Sequence, residues 1–187
     1  CRRQQPIAQQ AGPPAQQRQQ PLILESKAIP SLLKSENVDN YIWYFAYGSN
    51  SSKQLKERLN VSNDFERKAT KLKNWIRIFH GYSRKWGGSV ASIKEKSNSY
   101  VNGILFKLTK NQLDKLSEFE KGYELKIFNS SNFENFDKDV YTFIKNKDNE
   151  QDKPPSKEYL EAIARLLKER RQLLRSSDTN NFKIDYY

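Results

Sequence analysis

Two places in this chain bring together residue types that can do chemistry. The first is Tyr47-Gly48-Ser49-Asn50, where an aromatic and β-branched run beginning at Tyr41 stops at a glycine followed by short polar side chains. The run reads as a buried strand and Ser51–Leu59 as a helix, with Gly48 free to adopt φ > 0 and Ser49 or Asn50 placed to cap the helix. A strand, a tight turn and a helix start leave backbone N–H groups unpaired at one point, and the helix dipole adds partial positive charge there. The turn is therefore predicted to be an anion pocket. The second place is Glu120. Thr109 reads as an N-cap, and Leu113, Leu116 and Glu120 follow at i, i+3 and i+7 on one helical face, with Glu118 pointing away. A carboxylate on a core-facing stripe is costly unless it is paired or functional. Glu120 is thus either a functional carboxylate or the partner of a buried Lys or Arg. Asp114 reads as a first-turn helix charge.

The composition narrows the chemistry further. Cys1 is the only cysteine and His80 the only histidine, so an internal disulfide, a four-cysteine zinc site and a His-rich metal site are excluded, and no metal-ligand pattern is legible. A Ser-His-Asp or Cys-His mechanism would have to lean on His80, which closes the apolar run Trp75–Phe79 and reads as a strand-end histidine satisfied by backbone. Chemistry here should rest on carboxylates and backbone donors. Lys and Arg number 33 against 22 Asp and Glu, a net charge of +11. The basic residues are scattered rather than gathered into a stripe, with no zinc-finger spacing or RNP-type motif, so no nucleic-acid partner is expected. No apolar run approaches the ~20 residues of a membrane span.

These residues need a frame to position them. Residues 1–36 hold eight glutamines, four prolines and three arginines before Leu22 and little to bury, which reads as a disordered tail or linker, with Leu22–Leu24 and Ile29–Leu33 able to dock on the folded body or on a partner. Residues 37–187 suit one folded domain. Within it, Leu72–Phe79 reads as a strand, Trp86–Ile93 as a strand opened by Gly87 and Gly88, and Tyr100–Leu108 as another, with polar Lys94–Ser99 as a hairpin connection. Glu124–Asn129 and Asp139–Ile144 read as further strands. After Pro154-Pro155-Ser156 comes a long helix through Leu174, its Lys168–Arg175 cluster a solvated end, and then a last strand or docked tail at Phe182–Tyr187. Many strands and few helices give an α+β domain with a small mixed or antiparallel barrel-like sheet and flanking helices.

Tyr44-Phe45-Ala46-Tyr47-Gly48-Ser49-Asn50 resembles the N-terminal signature of the γ-glutamylcyclotransferase-like (AIG2-like) family. In the same order follow Leu72–Phe79, Gly87-Gly88 before Val90-Ala91, Val101–Phe106, Leu113–Glu120 and Pro154-Pro155-Ser156-Lys157-Glu158-Tyr159, so the resemblance covers about residues 41–168. It implies the γ-glutamylcyclotransferase-like fold and a cofactor-free enzyme: the α-amine of a γ-glutamyl compound attacks its own γ-carbonyl, closing 5-oxoproline and releasing an amine or amino acid. It puts the family's glutamate base at Glu120. It puts the substrate's α-carboxylate, or the developing oxyanion, on the backbone of Tyr47, Gly48, Ser49 and Asn50, with Gly87, Gly88 and Tyr123 completing the substrate-binding set. In one place the chain departs from the family: the glycine after the glutamate is displaced by one, giving Glu120-Lys121-Gly122, and Tyr123 stands for the family's aromatic.

The partner expected is a small γ-glutamyl substrate, and the compartment cytoplasmic. A mature N-terminal cysteine is also what a lipid-anchored protein shows, so tethering through Cys1 is the alternative. Two other functions compete: a non-catalytic small-anion-binding or scaffold domain of the same fold, with its pocket filled by side chains, and a basic nucleic-acid-binding module, which needs clustered cations beside exposed aromatics.

Overall fold

The computed structural model describes residues 41–146 and 153–184. The expectations for residues 1–36, Cys1 included, lie outside them. In chain order the elements are β1 (Tyr41–Ala46), α1 (Ser52–Leu59), β2 (Arg67–Ser83), β3 (Gly88–Thr109), α2 (Lys110–Ser117), β4 (Tyr123–Phe128), a short 3-10 turn (Ser130–Asn132), β5 (Val140–Lys145) and α3 (Lys157–Ile184). The five strands form one mixed sheet in the order β2-β3-β1-β5-β4. β1 runs antiparallel to β3 and parallel to β5, which places the first strand of the described chain at the centre.

That position explains the composition of β1. Trp43, Phe45 and Tyr47 enter a cluster on one face of the sheet, while Tyr44 and Ala46 enter a second cluster on the other. A strand covered on both sides has no polar face, so it reads as an unbroken apolar run. Leu55 and Leu59 of α1, Leu113 and Leu116 of α2 and Leu166 of α3 fill the second cluster, and Tyr159 and Ile163 of α3 join the first. Gly103 of β3 lies so close to β1 that a Cβ there would stand 2.4 Å from Ala46 O and 2.4 Å from the Phe45 ring.

The β2–β3 hairpin is longer than its sequence suggests. Lys94–Ser99 is part of β3 and not a hairpin connection, because β2 pairs with β3 on both sides of it. Pairing passes from Lys73↔Tyr100 to Trp75↔Glu95, so Asn74 alone opposes the four residues Lys96–Ser99. Asn74 and Asn98 both take positive φ, a conformation asparagine tolerates, and the polar stretch is a bulge that bends the ribbon. Past the bend the hairpin curls over the end of β5: His80 Nε2 meets Lys145 O at 2.9 Å and the Ser92 hydroxyl donates to the same carbonyl at 2.9 Å. His80 is therefore buried and backbone-satisfied at Nε2, as its place in the sequence suggests. Of the stretch expected to be a last strand or docked tail, Phe182–Ile184 continue α3 instead, and residues 185–187 lie outside the described residues. No helix among the described residues is long and apolar enough to cross a membrane.

Candidate active site

β1 ends and α1 begins at the mouth of a cavity of about 250 Å³. Its lining includes Tyr44, Tyr47, Gly48, Ser49 and Asn50 from this turn, Glu120 and Tyr123 from the segment after α2, Trp86 and Ala91 from the β2–β3 hairpin, and Tyr159 from α3. Of the residues singled out in the sequence, Gly87 and Gly88 stand apart from it. Gly87 takes φ +69 in the hairpin turn, and Gly88 lies under the chain at Pro154–Ser156, where a Cβ would meet Pro154 O at 2.4 Å. Glu118, expected to point away, is exposed and stands at the rim.

The turn differs in detail from the expectation. Gly48 does not take positive φ, and a Cβ there would lie 3.4 Å from the Tyr159 hydroxyl, an ordinary contact, so neither the backbone nor the space demands glycine at this position. Neither Ser49 nor Asn50 is the N-cap of α1. Ser51 holds that position without a side-chain cap bond, and the Ser52 N–H donates to Glu169 Oε2 of α3 at 3.0 Å. The helix N-terminus itself is thus occupied by a carboxylate of the same chain.

Asn50 instead organises the site. Its Nδ2 donates to Tyr44 Oη at 2.7 Å and to Glu120 Oε1 at 2.9 Å. Its Oδ1 accepts from Arg58 Nη1 at 2.9 Å and Gln54 Nε2 at 3.2 Å. Both donors and both lone pairs of the amide are used, and the charges around it fix which way it faces. Arg58 Nη1 also donates to Glu120 Oε1 at 2.6 Å, in an ion pair whose side chains are 9% and 12% exposed, and its guanidinium lies 5.3 Å from the Phe119 ring centre. Gln54 and Arg58 reach Asn50 together because they are one helical turn apart.

Glu120 faces the cavity, but not from a helix. α2 ends at Ser117, and Glu120 follows in a turn closed by Tyr123 N–H donating to Glu120 O at 3.0 Å. Gly122, the third residue of that turn, takes φ +80, so the displaced glycine supplies the left-handed conformation the turn requires. Thr109 does cap α2, in a reciprocal capping box with Gln112. Glu120 Oε1 carries both protein contacts, and Oε2 accepts no hydrogen bond among the described residues.

Four tyrosines surround this carboxylate. Burial pushes the phenols of Tyr44, Tyr47 and Tyr123 well above the ordinary tyrosine range, with the Glu120 charge adding to each. Burial also pushes Tyr159 up, to about 12. All four are neutral hydroxyls at physiological pH. Tyr47 and Tyr123 donate to Phe143 O at 2.6 Å and Ala91 O at 2.8 Å, whereas Tyr159 Oη accepts from Ala91 N–H at 2.9 Å and so keeps its proton to give.

Sequence reasoning missed Arg58, Tyr44 and Tyr159 as parts of the site. The available signal for Arg58 was its i, i+4 spacing from Gln54 on the helix that starts at the Gly-Ser-Asn turn; its charge blended into a basic chain. Tyr44 was hidden inside an apolar run, and Tyr159 on the buried face of an amphipathic helix, both of which packing alone accounts for.

The five-stranded mixed sheet, curled into a half-barrel and flanked by three helices, is the fold of the cyclotransferase class. Residues 44–161 match the family described as gamma-glutamyl cyclotransferase, AIG2-like, and the chain belongs to that family. A solved gamma-glutamyl cyclotransferase superposes with a TM-score of 0.61 at 22% identity, covering 74% of this chain and 85% of that one. An uncharacterised protein from Homo sapiens gives 0.61 at 24%, with 75% and 86% covered. YkqA from Bacillus subtilis gives 0.54 at 21%, with 74% and 55% covered. At these identities the structural likeness is one of fold. A comparison with curated protein sequences found no match.

Proposed function

We propose that this protein is an enzyme that cyclises a small γ-glutamyl compound to 5-oxoproline and releases the amine held in its amide, with Glu120 moving the proton. The observation that carries the reading is the setting of Glu120: one oxygen is anchored by Arg58 and Asn50, and the other has no hydrogen-bond partner among the described residues, on a side chain that lines the cavity.

The chemistry needs little else. Folding the glutamyl chain so that its α-nitrogen meets its γ-carbon turns an entropic obstacle into bound geometry. Glu120 Oε2 takes a proton from the α-ammonium, and the freed nitrogen forms a bond to the γ-carbon. The carbonyl oxygen gains negative charge, for which the backbone N–H groups of the Gly48–Asn50 turn and the neutral Tyr159 hydroxyl are candidate donors. Collapse of this intermediate breaks the old C–N bond: Glu120 returns the first proton to the departing nitrogen and takes the second proton left on the ring nitrogen, which the released amine then carries away as an ammonium. No water is consumed.

A second reading, binding without turnover, draws on the ion pair, since a carboxylate paired with Arg58 already has a structural role. A scaffold with a filled pocket is disfavoured by the open cavity. The deciding experiment incubates the protein with a panel of γ-glutamyl amino acids and γ-glutamyl amines and measures 5-oxoproline. Product from at least one, abolished in Glu120→Gln, supports the enzyme. Calorimetric binding of panel members without product would overturn it in favour of the second reading.

A further inference from the structure

The family match ends at residue 161, yet α3 continues well past it and touches the start of the helix that carries Arg58. Glu169 makes that contact. Its Oε2 accepts the Ser52 N–H at 3.0 Å, and its Oε1 accepts from the Ser52 hydroxyl and from Arg67 Nη1, the latter at 2.8 Å. Arg67 also bonds the Ser52 hydroxyl, which closes the cluster. The surroundings make this contact a substitute for a missing local cap: Ser51 makes no side-chain cap bond, and the first turn of α1 contains no acidic residue. A helix normally takes both functions from its own first residues. Here a residue 117 positions away supplies them.

From this we infer that Glu169 is a positioning residue for the catalytic group, an assignment that rests on the cyclase reading above. α1 has eight residues, about two turns, and its first turn bears Gln54 while its second bears Arg58. Those two side chains hold the Asn50 oxygen, and Arg58 holds Glu120 Oε1. A loosened first turn moves every one of these contacts, although Glu169 does not line the cavity and its hydrogen bonds among the described residues go to Ser52 and Arg67. The cap is itself held firm. Leu166, one turn before Glu169, is fully buried against the cluster that contains Leu55 and Leu59, and the next residue, Arg170, donates Nε to Thr70 O at 3.2 Å. Helix α3 therefore acts as a brace running from the pocket wall at Tyr159 to the N-terminus of α1.

The test uses the full chain with Glu169→Ala, Glu169→Gln and, as a control on the same helix, the exposed Glu161→Gln. The γ-glutamyl compound turned over best in the panel is the substrate, and amide hydrogen exchange is followed at Ser52–Leu55. Glu169→Ala is expected to speed exchange in that turn and to lower kcat by about tenfold or more while KM moves less than about twofold, since displacements of ~1 Å can cost that much. Gln, whose carbonyl can still accept the Ser52 N–H, should recover part of kcat. In an Arg58→Ala background the loss on Glu169→Ala should shrink towards nothing, which a merely structural residue would not do. Unchanged exchange in α1, unchanged kcat in a folded variant, or losses that multiply independently with Arg58→Ala each overturn the assignment. A wild type without turnover on any panel member overturns the cyclase reading and the positioning role with it. Turnover with an unaffected Glu169→Ala overturns the positioning role alone.

Discussion

Replacing Glu120 by Gln separates chemistry from packing, and the structure sets both sides of the account. Gln keeps a carbonyl oxygen where Oε1 now accepts from Arg58 and Asn50, so the hydrogen bonds at 2.6 and 2.9 Å have an acceptor to return to. The charge does not return. Arg58 is 9% exposed in its side chain and would face only neutral groups here, and leaving one partner of a buried pair uncompensated costs on the order of 3 kcal/mol. For a body of this size that lowers Tm by about 10 °C. The variant should therefore fold, less stably, and be assayed well below its transition. There its kcat should fall by about 10²- to 10⁴-fold, the usual contribution of a general acid–base, because Gln cannot take the α-ammonium proton. The assay is 5-oxoproline formation at 20 °C, with near-UV circular dichroism of the three tryptophans as the check on fold. Two companions isolate the effect. Asp114→Asn, an exposed α2 carboxylate paired with Lys110, should leave kcat alone. Adding Arg58→Met to Glu120→Gln should restore much of the Tm and none of the activity. A folded Glu120→Gln variant within about tenfold of wild type would refute the base assignment.

Gly103→Ala should cost about 3 kcal/mol, at the upper end for overpacking, because the new Cβ meets backbone at Ala46 O as well as the Phe45 ring; urea unfolding reads this, and a loss below ~1 kcal/mol would mean β1 and β3 can part cheaply. Gly48→Val should raise KM while leaving Tm nearly unchanged, since φ at Gly48 is unstrained, a Cβ there has ordinary contact distances, and the added methyls enter the cavity; equal KM values would remove the turn from the binding site. The buried tyrosines set an alkaline limit. Their folded pKa values lie above the ordinary 10.0, so the stabilisation they give is whole below that pH and is lost as pH rises from there towards the folded values, near 12 for Tyr159. Denaturant titrations between pH 9 and 12 should show stability falling, less steeply in Tyr159→Phe; parallel curves would contradict the burial of that phenol.

How far the sequence could be read depended on whether a residue's neighbours were local. Thr109 and Gln112 announce the start of α2 because a capping box is complete within four residues. The run at Tyr41–Tyr47 announces a strand because both its faces are covered. Lys94–Ser99 misled because polarity marks a loop as readily as a bulge, and only the partner strand tells them apart. Glu120 was found through a helical spacing it does not obey: α2 stops three residues short, and the turn at Gly122, not the helix, aims it inward. Arg58 and Glu169 stayed hidden because what they hold lies 62 and 117 residues away.

The sheet order also bears on how the molecule is made. β1 is the first described element, yet it lies between β3 and β5, pairing with Thr109 at one end of β3 and with Val140 of β5. A ribosome delivers it long before either neighbour. The hairpin of β2 and β3 can zip from its own turn as it emerges, whereas β1 must wait for a place between two strands that do not yet exist. The same delay falls on the pocket: Tyr44 comes from the first described strand, its carboxylate from the segment after α2, and Tyr159 from α3. Nascent chains halted before α3 therefore carry most of the site's residues and no site.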